Sequence, residues 1–175
     1  MTAHSNSKRI YRLLIGAVAA LAAVVVAINL VTSDDPAPKE LAPQFALPNF
    51  EGETVRLTDF RGQPLVLNYW ASWCLPCLAE MPDFEAMYQK HGDEVAFLGI
   101  NLADDPVGAE YVLNDTGITY PVAVDADAST FEALGGFGMP TTVFIDSEGY
   151  ILEMYTGALT AEELDDRIER YFLEG

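Results

Sequence analysis

Residues 13–33 hold no charged side chain and are rich in Ala, Val, Leu and Ile. At about 1.5 Å per helical residue, this run matches the roughly 30 Å hydrocarbon core of a bilayer. It has no polar face of the kind a half-buried soluble helix shows. Its one strongly polar side chain, Asn29, lies near the far end. Lys8, Arg9 and Arg12 precede the run and Asp34 and Asp35 follow it, which predicts a cytoplasmic N-terminus and an extracytoplasmic remainder. A cleaved signal peptide competes with this reading, using Ala17-Val18-Ala19 or Ala20-Leu21-Ala22 as the small-x-small site. Signal cores are usually about 7–15 residues long, however, and either cut would leave an apolar tail. No Cys lies near enough for a lipoprotein anchor. Pro36, Pro38 and Pro43 keep the next segment extended and solvated. The expected layout is a basic cytoplasmic tail at 1–12, a single-pass membrane anchor at 13–33, a linker at 34–43 and one folded domain at 44–175.

Within that domain the pattern changes element by element. Phe45–Phe50 and Thr54–Leu57, joined through Glu51-Gly52-Glu53, predict a small hairpin. Leu65–Trp70 is nearly continuous apolar, as a strand buried on both faces must be. From Cys74 to His91, Leu78, Met81, Phe84, Met87 and Tyr88 recur at three and four, which predicts a helix stopped by Gly92. A buried strand at Val95–Ile100 follows, then a helix at Pro106–Thr116 with Asp104 or Asp105 as cap and Gly117 as exit. Tyr120–Val124 reads as a short strand, and Ser129–Leu134 as a short helix closing on Gly135-Gly136. Thr141–Ile145 and Tyr150–Tyr155 form a second hairpin. Thr160–Phe172 is an amphipathic helix with Leu164, Ile168, Tyr171 and Phe172 on one face. Glu162, Glu163, Asp165 and Asp166 are expected on its solvated side. Together these elements predict an α/β domain whose mixed sheet is parallel in its first half and ends in an antiparallel hairpin.

Charge narrows the function classes. The chain carries 9 Lys+Arg against 27 Asp+Glu over 175 residues, a net charge of −18. All three bases of the first 33 residues lie before the apolar run, so residues 34–175 hold six bases against 27 acids. Such a surface repels phosphate, which excludes nucleic acid as a partner. It also favours basic partners or solubility in salt.

Two cysteines three apart, Cys74 and Cys77, point to chemistry rather than to a disulfide scaffold. They lie between a predicted buried strand and a predicted helix. The start of a helix offers unpaired N–H groups and the positive end of a dipole, so a thiolate there falls below its free pKa of about 8.5. Cys74 is expected at the exposed tip, with Cys77 one turn in and more buried. Cys74 can then attack a partner disulfide and Cys77 can resolve the mixed disulfide. Pro76 fits the first helical turn, where an N–H is unpaired anyway. Trp70 and Trp73 are expected to supply flat apolar surface beside the sulfur. Half of a zinc site is the competing reading. Zinc takes four ligands, and the only histidines are His4, before the anchor, and His91, about 21 Å down the same helix. No metal is therefore expected, and no cofactor beyond a redox-active Cys74–Cys77 disulfide.

The stretch Asn68-Tyr69-Trp70-Ala71-Ser72-Trp73-Cys74-Leu75-Pro76-Cys77-Leu78-Ala79-Glu80-Met81-Pro82 resembles the active-site segment of the thioredoxin superfamily. More narrowly it resembles the membrane-anchored TlpA/ResA-like thiol–disulfide oxidoreductases, including those of cytochrome c maturation. Supporting pieces are Ala42-Pro43-Gln44-Phe45, Thr54–Gly62, and Gly138-Met139-Pro140-Thr141-Thr142-Val143-Phe144-Ile145-Asp146 with Gly149. The likeness extends over about residues 41–175 and implies a thioredoxin-like fold with an N-terminal hairpin extension. It also implies that Pro140 is cis and faces the dithiol, with the Met139 backbone free to pair with an extended peptide. Trp73, Pro76, Met139 and Pro140 are the expected substrate-binding residues.

Asn68 departs from the cytosolic thioredoxins, which carry a titratable Asp at that position. Glu80, three residues after Cys77, is the expected replacement: partly buried, raised in pKa, and relaying a proton to or from Cys77. The resemblance further implies reduction of an extracytoplasmic protein disulfide, for example in an apocytochrome c, fed by an upstream membrane electron donor. A Cu(I)-handling module with Cys74 and Cys77 as soft ligands is a second class, supported only by Met139 nearby. A thiol peroxidase is a third; Cys77-x-x-Glu80 fits a peroxidatic stretch, but Cys74 stands where that chemistry wants Thr.

Overall fold

A computed structural model describes residues 14–18, 21 and 40–173 of the chain. Residues 14–18 and 21 are helical and exposed. The expected 1–12 tail, the rest of the 13–33 anchor and residues 34–39 of the linker lie outside the described residues. Among the described residues, no helix is long and apolar enough to cross a membrane.

The first strands, β1 (Ala46–Pro48) and β2 (Thr54–Arg56), pair antiparallel with Leu47 opposite Val55, and a 3₁₀ turn follows at Leu57–Phe60. Strand β3 (Leu65–Trp70) leads into helix α1 (Leu75–His91), strand β4 (Ala96–Leu102) and helix α2 (Pro106–Thr116). Strand β5 (Val122–Asp125) and the short helix α3 (Ser129–Ala133) precede the hairpin of β6 (Thr141–Ile145) and β7 (Ile151–Thr156). Helix α4 (Ala161–Ile168) closes the chain. The sheet order is β5-β4-β3-β6-β7; β3, β4 and β5 run parallel, and β6 and β7 are antiparallel to their neighbours.

Every residue of β3 is buried, and the period of two sorts them. Leu65, Leu67 and Tyr69 face one core with Leu47, Leu57 and Phe131, beneath the hairpin, the 3₁₀ turn and α3. Val66 and Trp70 face the other side, under α1, α2 and α4. Both sheet faces are covered, which explains the unbroken apolar run. Asn68 interrupts it on the α1 side and, being 2% exposed, must find hydrogen-bond partners there.

Several boundaries differ from the sequence pattern for definable reasons. Gly92 does stop α1, but in right-handed conformation (φ −59°). It is glycine because a Cβ there would lie 2.6 Å from the Tyr88 carbonyl oxygen. The 34–43 linker is not wholly solvated: Glu40–Ala42 pair antiparallel with Gly149–Ile151 at the start of β7, and Ala42 is buried. The last helix is α-helical only to Ile168, then widens into a π-turn at Glu169–Leu173 that sets Tyr171 and Phe172 against Phe144. Thr160 and Glu163 form the capping box at its start. Asp165 is not simply solvated: its carboxylate takes Lys90 Nζ at 2.7 Å and His91 Nε2 at 2.6 Å, tying α4 to the end of α1.

Candidate active site

From Trp70 at the end of β3 the chain turns through Ala71–Trp73, and Cys74 becomes the N-cap of α1. Its Sγ accepts the Cys77 N–H at 3.3 Å, so the sulfur sits on the unpaired donors and positive pole of the helix. Cys74 and Cys77 are disulfide-bonded, with their Cα atoms 5.3 Å apart. Cys77 is fully buried and Cys74 only 5% exposed. Cys74 is thus less open than the pattern suggested, because its sulfur turns inward over the first turn. Leu75 and Pro76 are exposed around it. Trp70 shares the buried cluster of both cysteines but offers no surface beside the sulfur. It points inward with its β3 alternation and is wholly buried, leaving Trp73, 60% exposed, as the surface aromatic.

The Met139–Pro140 peptide bond is cis. Met139 packs against the cluster that holds both cysteines. No described residue hydrogen-bonds its backbone. An open groove of about 710 Å³ is lined by both segments, by Trp73, Cys74 and Pro76 together with Leu102, Phe131 and Met139.

Two acids hold the groove's shape. Asp104 accepts hydrogen bonds from Ser72 N–H (2.6 Å), the Ser72 hydroxyl (2.7 Å), the Asn101 amide (2.8 Å) and Asp105 N–H (2.8 Å). Burial pushes this carboxyl up, but those donors outweigh it and hold it below the usual carboxylate value. Asp105 caps α2 through Gly108 N–H. On the far wall, buried Asp125 accepts from Thr130 N–H and hydroxyl and from Phe131 N–H, while its carbonyl takes the N–H of Ala103 and Ala128. Both alanines hold positive φ (44° and 60°) at the groove edge. Asp104→Ala is expected to lower stability by about 1–3 kcal/mol, because it strands the Ser72 and Asn101 donors. A urea midpoint unchanged from the parent would contradict this role.

Glu80 lies one turn beyond Cys77 and is 3% exposed. Its Oε1 accepts from Asn68 Nδ2 at 2.9 Å and its Oε2 from Leu159 N–H at 2.9 Å. Asn68 Nδ2 also reaches Thr142 Oγ1 at 3.2 Å, while Asn68 Oδ1 is buried without a partner. Burial pushes the Glu80 carboxyl up, the Leu159 and Asn68 donors pull it down and Asp83 adds to the rise, leaving it at about 7. His91, Asp165 and Glu169 form a separate group of ligand-type side chains whose donor atoms lie within 4.8 Å. Lys90 already bonds both Asp165 oxygens, so this group is an ion-pair clamp away from the dithiol.

The Redoxin family model matches residues 37–169. The chain belongs to the Redoxin family. Thiol-disulfide oxidoreductase ResA of Geobacillus thermodenitrificans is 36% identical over 131 residues, covering 73% of this chain and 74% of that protein. A Chlorobium tepidum structure assigned as thiol:disulfide interchange protein DsbE superposes with TM-score 0.70 at 32% identity, covering 75% of this chain and 95% of the other. StoA from Bacillus subtilis superposes with TM-score 0.63 at 27% identity, covering 72% and 96%. This Redoxin member is therefore a TlpA/ResA-like protein of the thioredoxin superfamily, with the thioredoxin-like α/β fold. It is a thiol–disulfide oxidoreductase, and its dithiol is Cys74–Cys77.

The structure brings Trp73, Cys74, Pro76 and Met139 to one groove, and places Cys77 and Glu80 behind them in the core. Pro140 is buried beside Met139. Sequence reasoning missed Thr142 and Leu159 as neighbours of the Glu80 site, and Asp104 and Asp125 as the groove's clamps. The Asn68–Thr142 pair follows from the β3–β6 register, which the sequence does not number.

Proposed function

We propose that this chain is a membrane-tethered reductant of extracytoplasmic protein disulfides, with an apocytochrome c cysteine pair as the favoured substrate. Residues 1–12 stay in the cytoplasm, 13–33 anchor the chain, 34–43 tether it and 44–175 carry the exchange chemistry. The reading rests on one observation: Cys74 Sγ caps α1 above a fully buried Cys77, with the enclosed Glu80 carboxyl one turn behind.

In the reduced protein the Cys74 thiolate attacks one sulfur of the substrate disulfide, and the first substrate thiolate leaves. Cys77 then loses its proton to Glu80 and attacks Cys74 Sγ. The Cys74–Cys77 disulfide forms, and the second substrate thiolate leaves. Substrate gains two electrons and leaves as two thiolates that draw their protons from solvent, while the Cys77 proton passes from Glu80 to solvent. A membrane donor returns the electron pair. The Met139 backbone pairs with the substrate strand beside the reacting sulfurs, Trp73 and Pro76 line its path, and Pro140 shapes that edge. When Glu80 takes the proton, a half-turn of the Asn68 amide brings the unpartnered Oδ1 round to accept a hydrogen bond from the new O–H.

Equilibration of the full chain with glutathione tests the direction. A potential near thioredoxin's, about −270 mV, is expected. A value near the strong periplasmic oxidant's, about −120 mV, would turn the assignment from reductant to oxidase.

A further inference from the structure

Resting on the exchange reading above, we infer that the groove takes a cationic polypeptide segment carrying a bulky apolar residue beside its reactive cysteine. The apolar part comes from the groove's lip. Phe137 is 82% exposed and lines the groove with Trp73 and Leu75, which are themselves exposed. Its neighbours have room only for glycine. A Cβ on Gly136 would meet the Phe131 ring at 2.4 Å, and one on Gly138 would meet Thr156 Cγ2 at 2.9 Å. The loop is pressed against the core on both sides of an aromatic ring held in solvent. Three large apolar side chains around one groove form a surface that a partner side chain covers.

The charge part comes from where the bases are not. Between Arg61 and Lys90, and again between Lys90 and Arg167, the sequence has no Lys or Arg. Every groove-lining residue falls inside those two stretches. Three of the bases outside them are occupied elsewhere: Lys90 on Asp165, Arg167 on Glu153, and Arg61 against Gly149. Acids adjoin the lining residues instead. Asp104 and Asp105 follow Ala103, Asp127 precedes Ala128 and Glu132 follows Phe131; Asp105, Asp127 and Glu132 are exposed. Acids beside the lining residues draw Lys- and Arg-bearing chain and repel Asp and Glu. The unpaired Met139 backbone suits an extended strand rather than a small disulfide.

The test uses the reduced full chain and four synthetic peptides, each closed by one internal disulfide. They carry Leu or Gly before the first cysteine and Lys or Glu on both flanks. Single-turnover oxidation is followed by tryptophan fluorescence. The Leu/Lys peptide is expected to react fastest, about tenfold faster than Leu/Glu at low ionic strength. That advantage is expected to shrink in about 1 M salt, where the screening length falls to about 3 Å. Phe137→Ser is expected to narrow the preference for Leu over Gly, and Asp127→Lys the preference for Lys over Glu. Equal rates for all four peptides, or a charge preference untouched by salt, would overturn the inference and leave the exchange chemistry standing. If no peptide oxidises the protein at all, the reading beneath it falls as well.

Discussion

Cys77→Ser arrests exchange halfway. Cys74 still attacks a disulfide peptide, but nothing within the chain attacks back, so a mixed disulfide accumulates. Multiple-turnover reduction falls on the order of a thousandfold or more, as expected when one member of a two-step pair is removed. Intact-mass measurement after incubation with a disulfide peptide is expected to show the chain plus one peptide half. Cys74→Ser is expected to show no such adduct, because the remaining sulfur is wholly buried. An adduct on Cys74→Ser that matches the one on Cys77→Ser would reverse the assignment of attacking and resolving roles.

Glu80→Gln has two separable effects. Glu80 titrates at about 7 in the folded protein, against 4.5 as its ordinary value. At 1.36 kcal/mol per pKa unit, ionised Glu80 costs the fold about 3 kcal/mol. Below pH 4.5 the group is protonated in both states and the cost is absent. Between 4.5 and 7 the folded chain keeps a proton that the unfolded chain has lost, so stability falls as pH rises. Above 7 the full cost remains. The glutamine variant is therefore expected to gain on the parent in urea midpoint from pH 5 to pH 8. Parallel pH dependences for the two proteins would show that Glu80 is not the group responsible. The same variant removes the proton acceptor proposed for Cys77. In the reduced protein, the inflection near pH 7 in the rate of disulfide closure onto Cys74 is expected to vanish. The two readouts part company if Glu80 is only structural, since stability would then change without the rate profile.

Much of the fold was legible because its signals are local. The Leu65–Trp70 run, the three-and-four spacing after Cys74 and the Asp105 cap each act within a few residues, and each appears in the structure. The dithiol was legible for the same reason: Cys-x-x-Cys at a strand-to-helix turn carries its own electrostatics. What stayed hidden is long-range. Trp70 and Trp73 look alike in sequence, yet strand alternation buries one and leaves the other open. Asp104 looks like a cap, but it reaches back 32 residues to Ser72. Glu80 was read from its place beside Cys77, whereas Leu159, 79 residues away, closes its hydrogen-bond shell. No periodicity encodes such meetings, because they are set by which loops the sheet order brings side by side.

The acids beside the groove have a further effect on the protein's own population. Two identical molecules must bring two acidic faces together before one Cys74 can reach the other, and like charges oppose that encounter. Cross-linking between copies is thereby held back.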